Sequence, residues 1–135
     1  MKLSIITINF NDREGLDKTI QSVINQTFKD FEYIVIDGGS DDGTVDIIRE
    51  YAQRIPQLEL QSSITFRWIS ERDAGMYDAI NKGIKMATGD IVGILNADDR
   101  LADENVLAMV VASFESGVDC IYGDIRFVRG ESLKT

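Results

Sequence analysis

Hydrophobic and polar positions along the chain switch between two periods. Lys2–Phe10 is nearly all β-forming residues, too continuous for a strand with one wet face, and such strands belong in parallel sheets covered on both sides. Leu16, Ile20, Val23 and Ile24 then recur at helical spacing. Phe31–Asp37 reads as a second strand. Thr44 opens a helix in which Val45, Ile48, Tyr51, Ala52 and Ile55 share a face. The single proline, Pro56, ends it, because the residue before proline avoids the α region. Thr65–Ser70 is a third strand, with Trp68 expected in the core. Met76–Ala87 is a helix with Ala79, Ile80, Gly83, Ile84 and Ala87 inward, and Thr88-Gly89 is expected to stop it as a glycine cap. Asp90–Leu95 is a fourth strand, and Asp103–Phe114 a helix through Leu107, Val110, Val111 and Phe114. Val118–Tyr122 begins a fifth strand that Ile125–Val128 either continues or pairs with.

Strands that alternate with helices imply right-handed crossovers. The expected fold is therefore α/β: a three-layer, Rossmann-like, mainly parallel sheet flanked by helices, as a single domain over residues 1–135. In such sheets ligands bind beyond the carboxyl ends of the strands. The residues expected there are Asn9-Phe10-Asn11-Asp12, Asp37 to Gly43, Glu71 to Gly75, and Asn96 to Asp99. Turns alone need Asp, Asn and Gly, but they do not need a carboxylate in every loop.

Composition narrows the chemistry. A hydrophobic content of 44% suits a chain that can build a core. The formal net charge of −9 argues against a nucleic-acid partner, which calls for a basic face. Histidine is absent, which removes the usual zinc ligands and imidazole as a general base. Reactions here must use carboxylates, a hard metal, or both. Cys120 is the only cysteine; it allows no intrachain disulfide, fits a reducing compartment and is read as a core residue. No apolar run approaches the roughly eighteen residues of a membrane span. The start, Met1 to Ile6, reads as a strand rather than a signal peptide.

The segment GILNADDR, Gly93 to Arg100, carries an apolar strand into two adjacent carboxylates, Asp98 and Asp99. Such a pair repels itself unless a cation offsets it. Mg2+ or Mn2+ would suit, since one or two protein carboxylates suffice when diphosphate oxygens complete the shell. The rival reading is a turn in which Asn96 and Asp98 make local backbone bonds. In IDGGSDDGT, Asp41 or Asp42 could cap the next helix, while Asp37 ends the strand where it could accept from a base or a ribose hydroxyl. In SERDAGMYDAINKG, Arg72 pairs either with phosphate or with Glu71 or Asp73, and Asp78 could serve the helix start alone. Lys82 and Lys85 read as a solvated face. The G-x-G-x-x-G and P-loop signatures are missing, which disfavours a dehydrogenase, an NTPase or a nucleotidyltransferase.

Together these stretches resemble the N-terminal part of a family-two, GT-A-fold inverting glycosyltransferase. The matching segments are SIITINFNDREGLDKTIQSVINQTF, EYIVIDGGSDDGT, SERDAGMYDAINKGIKMATGDIVGILNADD and IYGD, in the family's order and spacing. The DGGSDDGT and DAGMYDAINKG variants resemble enzymes of bacterial surface polysaccharide synthesis. The resemblance implies transfer of a sugar from a nucleoside diphosphate sugar, with uracil the expected base, to a hydroxyl of a saccharide or lipid-linked acceptor. It places Thr7 and Asn9 at the nucleotide, Asp37 at the base, and Glu71 and Asp73 beside base and ribose. Asp98 and Asp99 match the D-x-D-type motif for ribose, metal and diphosphate. Two positions depart from the pattern: Gly38 stands where many relatives have a second acid, and Asn96 where they often have the first Asp. The general base comes from the acceptor half in this family. None of Asp103, Glu104, Glu115, Asp119, Asp124 and Glu131 matches it. The expectation is a fragment whose base lies beyond Thr135, cytoplasmic or at the inner membrane face in the full-length protein. Its cut face could drive self-association. The alternative is a module that binds nucleotide sugar without transferring it.

Overall fold

The computed structural model describes residues 2–57, 63–117, 120–121 and 126–129. In chain order the elements are β1 (Leu3–Asn9), α1 (Arg13–Ile24), β2 (Phe31–Asp37), α2 (Thr44–Arg54), a 3-10 turn (Ile55–Gln57) and β3 (Thr65–Ser70). There follow α3 (Met76–Met86), β4 (Ile91–Asn96), α4 (Val106–Glu115), β5 (Cys120–Ile121) and β6 (Arg126–Arg129). The sheet order is β3-β2-β1-β4-β6-β5. The first four strands in that order are parallel to one another. β6 runs antiparallel to β4, and β5 antiparallel to β6. The segment expected at Ile125–Val128 thus pairs with the fifth strand, as β6, rather than continuing it. The remainder of the expected fifth strand (Val118, Asp119, Tyr122), Ile125 and the burial of Cys120 lie outside the described residues, as do Asp124 and Glu131.

Every residue of β1 and of β2 is buried, as a strand covered on both faces requires. Leu3 and Ile5 face one apolar layer, shared with Leu16 and Ile20 of α1, Ile48 and Tyr51 of α2, and Leu107 and Phe114 of α4. Ile6 and Ile8 face the other, with Ile34, Ile36 and Ala79 of α3. Three helices lie on one side of the sheet and α3 on the other, which gives the expected three layers. Trp68 is half-buried rather than central, because β3 is the edge of the parallel run; it packs against the rim of the larger layer. α4 starts at Val106, later than the periodicity suggests, since Asp103 is drawn into a turn in which its carboxylate accepts from the Asn105 N–H at 2.8 Å.

The end of α3 needs a different explanation from the one its sequence suggests. Gly89 is not a left-handed cap; the cap residue is Ala87, in extended conformation. Glycine is required because the chain passes against β1: a Cβ on Gly89 would lie 2.5 Å from Ser4 Oγ and 2.8 Å from Ser4 N. The Gly89 N–H donates to Ser4 Oγ (2.9 Å), which donates to buried Glu32 (2.9 Å). Glu32 also accepts from the Thr88 N–H (2.9 Å) and from Arg67 Nη1 (3.2 Å). Burial pushes the Glu32 carboxyl up, but these donors outweigh it and hold it below the usual carboxylate range. This network closes the amino-terminal end of the sheet and leaves the opposite end for the loops.

Candidate nucleotide-sugar site

From β1 the chain crosses to β2 on one side, while β4 pairs on the other, so the strand order reverses between β1 and β4. The crevice outside the carboxyl ends at such a switch point is where open α/β sheets bind ligands. A cavity of about 480 Å3 lies there. Its wall is made by the ends of β1 (Ile8, Asn9, Phe10), β2 (Gly38) and β4 (Asn96, Ala97), and by Arg72, Asp73 and Met76. Backbone bonds extend the sheet into this rim: Gly38 N–H to Asn9 O, Ala97 N–H to Ile8 O and Glu71 N–H to Asp37 O, each 3.0 Å.

The residues singled out from the sequence divide into three groups. Asn9, Asp73, Asn96 and Arg72 line the cavity. Among the described residues Arg72 makes no ion pair with Glu71 or Asp73, so its guanidinium is available to a ligand. Asp98 and Asp99 are exposed on the turn directly after the lining residues Asn96 and Ala97, but they do not themselves line the cavity. Thr7, Asp37 and Glu71 do not line it. Thr7 is fully buried and shares a 2.9 Å hydrogen bond with the Tyr33 hydroxyl inside the core. Glu71 faces solvent and pairs with Lys82 at 3.1 Å; Lys82 also reaches Asp78 at 3.6 Å, so it is not simply a solvated face. Asp78 accepts from the Ala74 N–H at 3.0 Å and so serves the start of α3.

Asp37 is fully buried behind the wall. Its Oδ1 accepts from Asn9 Nδ2 (3.0 Å) and Ser40 Oγ (2.6 Å). Its Oδ2 accepts from the Ser40 N–H (2.9 Å) and Ser70 Oγ (2.7 Å). A carboxylate has about four acceptor positions, and all are taken. Burial pushes this carboxyl up, but the bonds from Ser40, Ser70 and Asn9 prevail and hold it below the usual range. Ser40 is a local partner, three residues after Asp37, whereas Ser70 was not legible as one, since only the β2–β3 register, Asp37 opposite Ser70, brings it in.

The carboxylates of Asp98 and Asp99 contrast with this. Among the described residues neither accepts a hydrogen bond or joins an ion pair. The turn that presents them is held by its backbone: the Asp99 N–H donates to Asn96 O (3.1 Å), and Thr19 Oγ1 of α1 lies 2.7 Å from Asp99 O. Asp98 has φ 78° and Asn11, after β1, has φ 49°; they are the non-glycine residues with positive φ among those described. Both are chain neighbours of residues that line the cavity, and strain of this kind gathers at ligand sites. Asp42, expected to cap one helix, serves two: it accepts from the Thr44 N–H at 3.1 Å at the start of α2 and from the Arg13 N–H at 3.1 Å at the start of α1.

No group of three or more carboxylate, thiol or imidazole side chains gathers as a cation site among the described residues. The donors present are two adjacent, unengaged carboxylates beside a cavity. This set suits a hard cation whose remaining ligands come from a bound diphosphate.

The geometry defines an α/β protein with a crevice at a sheet switch point. The family model described as glycosyl transferase family 2 matches residues 4–135, and the chain belongs to that family. It is 40% identical over 110 residues to an uncharacterized glycosyltransferase of Mycobacterium tuberculosis, a match that covers 81% of this chain and 38% of the relative. It is 36% identical over 126 residues to a PGL/p-HBAD biosynthesis glycosyltransferase of Mycobacterium bovis, covering 90% and 46%. The chain therefore spans less than half the length of these relatives. Among solved structures it superposes on a Pyrobaculum calidifontis mannosyltransferase in complex with GDP-Man and Mn2+, with a TM-score of 0.83 and 21% identity over 98% of this chain and 45% of that one. It also superposes on S. aureus TarS in complex with UDP-GlcNAc, with a TM-score of 0.70 and 23% identity over 86% and 32%. These structural likenesses establish the GT-A-type fold. No helix among the described residues is long and apolar enough to cross a membrane.

Proposed function

We propose that this chain is the donor-binding part of a metal-dependent inverting glycosyltransferase that takes its sugar from a nucleoside diphosphate sugar, with UDP-sugar the first choice. The observation that carries this reading is the pair of unengaged, exposed carboxylates, Asp98 and Asp99, on the turn that follows the cavity-lining Asn96 and Ala97. The wall supplies Asn9, Asp73 and Asn96 for the nucleoside, and Arg72 offers a cation to the phosphates. Asp98 and Asp99 would hold Mn2+ or Mg2+, and such an ion neutralises a leaving diphosphate when bound. The carboxylate that deprotonates the acceptor hydroxyl is proposed to lie outside these residues. The acceptor is a saccharide or lipid-linked glycan in surface polysaccharide or glycolipid synthesis, at the cytoplasmic side of a membrane. The PGL-biosynthesis relative supports that context.

Calorimetry with UDP, with and without Mn2+, tests the reading. Metal-dependent binding that Asp99→Ala abolishes is expected. Equal affinity with and without metal, or an unaltered Asp99→Ala titration, would remove the role given to the pair.

A further inference from the structure

Lys82 stands in the second turn of α3, away from the cavity wall. Its ammonium lies 3.1 Å from Glu71 Oε1 and 3.6 Å from Asp78 Oδ2. It also donates to the backbone carbonyl of Arg72 at 3.5 Å, near the outer limit of such a bond. Its side chain is only 22% exposed, so the charge rests among these acceptors rather than in open solvent. The three acceptors all bear on residues 71–75, the segment that carries Arg72 and Asp73 to the cavity. That segment is tied near its two ends. The Glu71 N–H donates to Asp37 O, and the Ala74 N–H to Asp78 Oδ2, each at 3.0 Å. Between these ties, among the described residues, no backbone–backbone bond holds Arg72 or Asp73. The segment is nevertheless seated closely. A Cβ on Gly39 would lie 3.2 Å from Arg72 N, and one on Gly38 3.1 Å from Asp73 Oδ2. It ends at Gly75, whose φ of 116° is one that glycine adopts freely.

We propose that Lys82 is a positioning residue: it clamps residues 71–75 to α3 and so holds Arg72 and Asp73 at the cavity before a nucleotide arrives. This deepens the donor-binding reading above and rests on it. The lysine itself need not touch the ligand. A segment already in its bound conformation spares the ligand the entropy of ordering it. Lysine suits the task as a compact charge with three donors for several acceptors. Lys85, one turn further along α3, carries the same charge but makes no hydrogen bond or ion pair among the described residues, so it serves as the control.

Two measurements on the intact chain test the clamp. Tryptic cleavage of the Arg72–Asp73 bond, followed by mass spectrometry, reads how often the segment opens. Calorimetry with UDP and Mn2+ reads the site. Lys82→Gln is expected to be cut about fivefold faster and to bind UDP about fivefold more weakly, the upper end for exposed ion pairs, with the thermal midpoint unchanged. Lys82→Arg should keep both readouts within about twofold of the wild type, and Lys85→Gln should do the same. Glu71→Gln should resemble Lys82→Gln, and the double variant should be no worse than the worse single, because the two act as one unit. A Lys82→Gln protein that matches the wild type in either readout, an equal effect of Lys85→Gln, or additive losses in the double variant overturns the proposal. Failure of the wild type to bind UDP or GDP in Mn2+ removes the donor-binding reading and this inference with it. Unchanged cleavage in Lys82→Gln while the wild type still binds UDP removes this inference alone.

Discussion

Two strands of the same sheet end in aspartate, and the two ends behave in opposite ways. At the end of β2, Asp37 is buried and every lone pair has a donor. Just past the end of β4, Asp98 and Asp99 are exposed, and among the described residues their carboxylates bond to nothing. Residue type and position in the topology are alike, so neither separates the two ends. What separates them is the supply of donors: Ser40 and Ser70 converge on the first, while only backbone groups and Thr19 tie down the second. A saturated carboxylate organises the wall, and the unsaturated pair is the one proposed above to take a ligand.

The largest effect should come from breaking the saturated end. Asp37→Ala strands four donors of the buried cluster, and hydrogen bonds to charged groups each count for about 1.5–3 kcal/mol. A loss of about 3 kcal/mol or more in urea denaturation is expected. Asp98→Ala and Asp99→Ala should stay within about 0.5 kcal/mol of the parent, as exposed substitutions do. Equal losses at the two ends would erase the distinction drawn between them.

Next in size is ligand affinity. Asp99→Ala should lower the affinity for UDP in Mn2+ at least tenfold, about 1.4 kcal/mol, with the thermal midpoint unchanged. The third effect is a pH dependence. The folded carboxyl of Asp37 titrates below its unfolded value of about 3.9. Its contribution is therefore complete above that value and is lost as pH falls through the lower folded one. Glu32 acts in the same direction. Melting temperature followed from pH 6 to pH 2 should fall less steeply for Asp37→Asn than for the parent. The smallest effect belongs to Ser70→Ala, which removes one of the four bonds to Asp37 and should cost about 1 kcal/mol in the same urea experiment.

Local pattern made much of the fold legible. β2 and β3 have the bounds that their composition suggests, and the continuous apolar run of β1 correctly implied a strand covered on both faces. Gly89 was misread because a glycine after a helix looks like a cap, whereas its reason is the closeness of Ser4, far away in sequence. Thr7 looked like a rim residue but lies inside, because the strand runs on to Asn9 and its side chain turns toward Tyr33. At the site, the loops and their acids were visible in the sequence. Which acids are engaged was not, since that depends on how the loop after β2 folds back, bringing Ser40, and on the neighbouring strand that brings Ser70. The buried Asn9 Oδ1, which has no partner among the described residues, is likewise a property of register, set by the pairing of Asn9 with Asp37.

The central place of β1 has a consequence for how the molecule is assembled. Leu3 pairs with Phe31 on one side and with Ile91 on the other. β1 must therefore wait until β4 has been made before its second edge is closed. Contacts this far apart in sequence slow folding and leave an open edge in the meantime. The cavity sits on that late-closed seam, so the crevice forms only once β4 has joined β1. A ligand that bridges the walls would act late, by holding the seam shut rather than by guiding the early steps.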